Sequence, residues 1–123
     1  MPIRRHSLKH PRLIAFLSQN GLCHYCGQPM WLSNQETFAG QYGLSAKQAK
    51  LLMCTGEHLL PHKDGGGACK QNIVAACLYC NTRRHKRTFD LSPEDYRRKV
   101  QKQMTKGKWH PARTDCHAKN LAP

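Results

Sequence analysis

Acidic side chains are scarce in this chain. It holds 7 Asp and Glu against 20 Lys and Arg over 123 residues, a formal net charge of +13. Large apolar side chains are scarce as well: Leu, Ile, Val and Phe together are 21 residues, or 17% of the chain. A chain so charged and so poor in burial capacity has little to set against the entropy of folding. Long hydrophobic runs are missing too. The longest, Ile73 to Cys80, is eight residues, against roughly 20 for a helix that crosses a bilayer. The opening stretch, MPIRRHSLKHPRL, has basic residues but no continuous apolar segment, so no secretory signal and a cytoplasmic setting are expected. The charge calls for a polyanionic partner, nucleic acid before an anionic membrane.

What the chain does have is seven cysteines and eight histidines. Small chains with thin cores are held together by disulfides or by metal. The odd cysteine count and the pairs Cys23/Cys26 and Cys77/Cys80, each at C-x-x-C spacing, favour metal. Each such turn offers two thiolates on one side of a tight bend, and two turns complete the tetrahedron that zinc prefers. A site closed by four thiolates has no open position for water, so the zinc is expected to be structural. Cys54 and Cys69 lack the spacing and read as buried thiols, Cys116 as a thiol of the tail. His110, Cys116 and His117 make a weaker second cluster there.

The local pattern predicts a helix from Pro11 to Gln19 with Leu13, Phe16 and Leu17 on one face, ended by Gly21. Residues 28–44 read as a loop or insert. Ser45 with Gln48 is a capping box opening a two-turn helix through Met53. Cys54–Leu60 and Ile73–Ala76 read as short strands around a glycine-rich loop, Pro61–Gln71, and Asn81–Phe89 as a basic helix. Ser92-Pro93-Glu94-Asp95 starts a further helix that runs to about Thr105 and stops at Gly107. The remainder, from Lys108, shows no periodicity and is expected to be mobile.

Chemistry concentrates between the thiol pairs. Glu57 and His58 are adjacent, so a regular strand turns them to opposite faces unless it bends or ends there. Asn81 and His85 are four apart and share a helix face. Glu57, Asn81 and His85 offer the oxygen and nitrogen donors that suit magnesium or manganese, or a second zinc.

From Cys23 to His85 the order C-x-x-C, E-H-x-x-P, Gly-Gly loop, Asn72 and C-x-x-C-N resembles the HNH endonucleases, also called ββα-metal or His-Me finger nucleases. The resemblance implies a small α+β fold, a ββα-metal core stapled by the four-cysteine zinc site with flanking helices. It implies His58 as general base toward a water aimed at phosphorus, a task suited to an imidazole near neutral pH. Asn72 would hold the long loop and so orient the histidine. Glu57, Asn81 and His85 would hold the catalytic divalent ion, Mg2+ or Mn2+, with Zn2+ or Ni2+ as further candidates. Two positions depart from the family's pattern: Glu57 stands where Asp is commoner, and Asn81 where the eponymous His can stand.

The expected organisation is then a basic arm and first helix over 1–22, the nuclease core with its zinc over 23–90, a basic C-terminal helix over 91–107 and a tail over 108–123. Residues 83–108 carry ten Lys or Arg against three acids. Lys63, Arg83, Arg84, Lys86, Arg87, Arg97 and Arg98 are the candidates for contact with DNA, or RNA, through its phosphates. Tyr79, Tyr96 and Trp109 are too scattered in sequence to argue base stacking. The rival reading is a non-catalytic zinc module that binds nucleic acid. It shares the cysteines and the charge but has no need of His58, Asn72 and Asn81 in register. An adaptor using the terminal helix is disfavoured, because the helix lacks a broad apolar face. Monomer and homodimer both remain open.

Overall fold

The computed structural model describes residues 9–60, 72–86 and 91–114. The chain is α+β. In order it forms α1 (Lys9–Ser18), α2 (Gln35–Tyr42), α3 (Ala46–Leu51), β1 (Cys54–His58), β2 (Ile73–Cys77), α4 (Leu78–His85) and α5 (Pro93–Thr105). The strands pair antiparallel from Cys54 opposite Cys77 to His58 opposite Ile73.

Helix α1 buries a different face from the one expected. Leu13 and Leu17 are 42% and 64% exposed, while Ala15 is buried and Phe16 half-buried. The stripe that packs is Arg12, Ala15, Phe16 and Gln19, and a polar residue anchors it. The Gln19 amide nitrogen donates to the Ala75 carbonyl (2.9 Å) and its oxygen accepts from the Ala75 N–H (2.9 Å), so one side chain serves β2 as a neighbouring strand would. Gly21 ends this stretch with φ +74°, and an added Cβ would sit 3.2 Å from the Phe16 ring.

Residues 35–42, expected within a loop, form α2. Asn34 caps it by accepting from the Thr37 N–H (3.0 Å). Phe38 is the helix's one buried residue, so the apolar periodicity that announces a helix is absent. The capping box of α3 forms as expected, with Ser45 and Gln48 bonded reciprocally. Strand β2 takes in Cys77, and the second thiol pair is the beginning of α4 rather than a free turn. Cys77 is its N-cap, its sulfur accepting from the Cys80 N–H at 3.4 Å. Ser92 caps α5, Pro93 occupies its first turn, and Gly107 with φ +70° follows it.

The core matches the composition. Leu52 is the one buried leucine among the described residues, and the largest fully buried side chains include Tyr25, Tyr96, Val100 and Glu57 along with Cys54, Cys77 and Cys80. Tyr96 of α5 packs edge-on to Tyr25 (centroids 4.8 Å apart) and its hydroxyl donates to the Cys80 carbonyl at 2.7 Å. That contact seats α5 on the thiol cluster.

Residues 109–114, expected in a mobile tail, pack instead. His110, Ala112 and Thr114 are buried. The Gln28 amide holds the segment, donating to Ala112 O (2.8 Å) and accepting from Thr114 N–H (3.0 Å). Apolar content alone could not signal this, because the segment docks by hydrogen bonds.

Candidate metal centre and active site

The first thiol turn is folded by its backbone. Leu22 bridges Pro29, and the Cys23 N–H donates to the Gln28 carbonyl at 2.9 Å. The second pair comes from the end of β2 and the first turn of α4. Cys23, Cys26, Cys77 and Cys80 are all buried, and their four sulfurs lie within 4.8 Å of one another, Cys26 and Cys77 at 3.9 Å. Zinc–sulfur bonds of about 2.3 Å in a tetrahedron put the sulfurs roughly 3.8 Å apart, so the donor set fits zinc. Backbone N–H groups of Tyr25, Cys26 and Cys77 point at the Cys23 sulfur at 3.3–3.5 Å. Burial works against the Cys23 thiolate, but hydrogen bonds from the other cysteines outweigh it and hold the group well below its ordinary value. Burial pushes Cys77 up, and its hydrogen bond to Cys23 helps push Cys80 up. Several thiolates this close and this dry need a dication to coexist.

Two side chains that sequence reasoning left in the tail meet this cluster. The Trp109 indole N–H donates to Cys80 Sγ at 3.3 Å, and His110 Nε2 lies 3.5 Å from Cys77 Sγ. Burial lowers His110 to about 4. No spacing rule would have found either residue. Cys116 and His117 lie outside the described residues, as does Cys69. Cys54 is buried, as expected, and burial raises its thiol to about 11.

The second constellation sits where β1 meets α4. Glu57 is only 2% exposed. Its Oε1 is 3.0 Å from His85 Nε2, and its Oε2 is 3.4 Å from both the Arg84 guanidinium and the Tyr25 hydroxyl. Spacing put His85 and Asn81 on one helix face, but the Asn81 amide is used differently. It donates to Thr55 Oγ1 at 2.9 Å and lies 3.5 Å from the Gly56 carbonyl, tying α4 to β1. Among the described residues the four cysteines are the one convergent group of three or more His, Cys, Asp or Glu donors.

His58 is half-buried at the last paired position of β1. The ladder stays regular there and extends through Leu59 N–H to the Asn72 carbonyl at 2.9 Å, so alternation turns Glu57 and His58 to opposite faces of the ribbon. Asn72 clamps both ends of the loop. Its Oδ1 accepts from the Leu60 N–H (2.8 Å) and its Nδ2 donates to the Leu60 carbonyl (3.0 Å). A cavity of about 410 Å3, lined by Phe16, Met30, Phe38 and Tyr42 among others, shares no residue with this constellation.

The cations divide. Arg83, Lys86, Arg97 and Arg98 are exposed, with Arg98 also 2.8 Å from Asp95. Arg84, expected among the phosphate contacts, is turned inward. Its side chain is 13% exposed and spans from Glu57 to the Leu91 carbonyl (3.3 Å), because a buried carboxylate demands a partner. Lys63 and Arg87 lie outside the described residues. Tyr79, Tyr96 and Trp109, remote in sequence, come together. Trp109 stands edge-on to both tyrosines, and the Arg83 guanidinium lies 5.2 Å and 5.6 Å from the ring centres of Tyr79 and Trp109.

A paired β-ribbon leading directly into a helix, stapled by four thiols and presenting a carboxylate and an imidazole at the joint, is the architecture of a metal-binding ββα module. A family model, HNH endonuclease, matches residues 23–87, just over half of the chain. The protein belongs to the HNH endonuclease family, whose members act on nucleic acids. Comparison with curated proteins returned no match. No helix among the described residues is long and apolar enough to cross a membrane.

Proposed function

We propose that the protein is a divalent-metal-dependent endonuclease that hydrolyses DNA phosphodiester bonds, folded around a structural zinc held by Cys23, Cys26, Cys77 and Cys80. The observation that carries this reading is the 3.0 Å separation of Glu57 Oε1 and His85 Nε2, with His58 the next residue along the strand. Two ligands at right angles on a small dication, each about 2.1 Å away, are about 3.0 Å apart. The pair therefore suits a cation as well as it suits a hydrogen bond. Glu57 and His85 would hold the ion, Mg2+ or Mn2+, with Asn81 within the same joint. When bound, the ion supplies Lewis acidity to the scissile phosphate and its leaving oxygen.

The chain's own groups do the rest. His58 accepts the proton of the attacking water, a role that needs the end of β1 to turn its ring from the face opposite Glu57 toward the ion. Asn72 fixes the loop ends and so the position of the strand terminus that bears His58. The exposed cations near α4 and on α5 attract the phosphate backbone and give affinity that falls with salt. One compact site per chain suits nicking, and double-strand cleavage needs two chains.

The Arg84–Glu57 ion pair favours the second reading, a non-catalytic zinc-stabilised nucleic-acid-binding module, because a carboxylate already neutralised has less to offer a dication. Supercoiled plasmid incubated with magnesium or manganese separates the two. The nuclease reading expects nicked product from the wild type and at least a hundredfold less from His58→Ala, a loss within the usual range for a general base. Equal cleavage by both, or none from wild type with bound zinc, supports the binding module.

A further inference from the structure

The C-terminal segment 109–114 is not needed to supply a thiolate, yet it is built against two of them. Its geometry settles a proton. His110 Nδ1 accepts from the Ala112 N–H at 3.0 Å, so Nδ1 carries no proton and the ring's N–H is on Nε2. That nitrogen faces Cys77 Sγ at 3.5 Å, so the contact is an N–H···S hydrogen bond with the imidazole as donor. Trp109 makes the second, its indole N–H, which can only donate, lying 3.3 Å from Cys80 Sγ. The two donors thus address the two sulfurs at the β2–α4 junction, one each.

We propose that Trp109 and His110 are outer-sphere donors of the zinc site, and that segment 109–114 is a strap whose docking sets how tightly and how long the ion is held. The assignment rests on zinc occupying the four thiolates and is independent of any nuclease activity. A thiolate that accepts an N–H has part of its charge neutralised, so four of them tolerate one another around a dication at less cost. The same bonds occupy sulfur lone pairs that a proton or a competing chelator would use. Outer-shell partners of this kind typically change metal affinity by 10–100-fold.

The strap is latched rather than merely adjacent. Gln28, 5% exposed, stands two residues beyond Cys26, the last ligand of the first thiol turn. Its amide donates to Ala112 O at 2.8 Å and its oxygen takes the Thr114 N–H (3.0 Å) and hydroxyl (3.3 Å). The first turn therefore grips the segment that covers the second. Tyr79, also on α4, walls the other side, with ring centroids 4.6 Å from His110 and 5.7 Å from Trp109. Zinc exchange should then require the strap to lift.

The test uses the full zinc-loaded chain and an excess of a chromophoric chelator, following zinc transfer with time. Trp109→Phe keeps the ring and removes the N–H, His110→Leu removes the donor, and His110→Gln restores an N–H donor in its place. Release about tenfold or more faster in Trp109→Phe and His110→Leu, with His110→Gln back near the wild-type rate, supports the strap. Cobalt substitution provides a readout that packing alone would not move, since losing a hydrogen bond to sulfur shifts the thiolate-to-metal charge-transfer band. Should His110→Leu fail to fold, Trp109→Phe and Gln28→Leu carry the same comparison. Wild-type release rates and unshifted cobalt spectra in the folded variants overturn the proposal.

Discussion

Glu57 has three polar partners from two parts of the chain and almost no solvent. Tyr25 arrives from the first thiol turn, Arg84 and His85 from α4, and Asn81 secures the strand beside it. A buried carboxylate so placed is expensive to neutralise, because Arg84 would be left partly buried without its counter-charge. Glu57→Gln keeps the shape and removes the charge. Chemical denaturation of the zinc-loaded protein should show a loss on the order of 1–3 kcal/mol, and metal-dependent cleavage should fall much further. A variant that cleaves normally would remove Glu57 from the ion site. Sequence inspection grouped Glu57, Asn81 and His85 as ion ligands; Glu57 and His85 do meet, while the Asn81 amide is given to Thr55. Inspection misread Arg84, since nothing in a run of basic residues says which one turns inward.

Helix α4 joins the two sites. Its N-cap and third residue belong to the thiol cluster, and Asn81, Arg84 and His85 follow on the flank that meets β1. Helix α5 is seated by Tyr96 and started by Ser92, whose hydroxyl accepts from the Asp95 N–H at 3.1 Å. Removing that acceptor with Ser92→Ala should cost about 1 kcal/mol, seen as a lower denaturation midpoint with zinc content unchanged. The elements whose ends carry strong punctuation were legible: the capping box of α3, the Ser-Pro start of α5, the strands around the glycine loop. Helix α2 was not, because Phe38 is its single buried residue and nothing repeats. The face of α1 was not, because its link to β2 is the amide of Gln19 rather than a leucine.

A core with one buried leucine among its described residues leaves much of the work of holding the fold to the four-thiol cluster, which fits zinc. Structural zinc sites of this kind contribute on the order of 10 kcal/mol or more to folding. Stripping the ion with a strong chelator should therefore abolish the cooperative unfolding transition and the near-ultraviolet dichroism of Tyr25 and Tyr96. Retention of both would move the stability elsewhere. Alkali should act against the fold as well. Burial holds the Cys54 thiol up at about 11 against an ordinary 9.0, and raises the Tyr25 and Tyr96 phenols above theirs. The unfolded chain then gives up these protons at lower pH than the native one, so the stability present below about pH 9 is lost as pH rises through the native values. Denaturant midpoints between pH 8 and 11 should fall, and less so in Tyr25→Phe.

Because Cys80 and Asn81 are consecutive on one helix, the spacing between them acts as a phase setting. A single residue inserted at that point would turn everything downstream by about 100° while leaving both thiol pairs where they are. Asn81, Arg84 and His85 would swing away from β1, and the product would still be a zinc-bound, positively charged domain. The length of the chain at this one peptide bond therefore decides whether the thiol cluster and the Glu57 joint stay in phase on the helix.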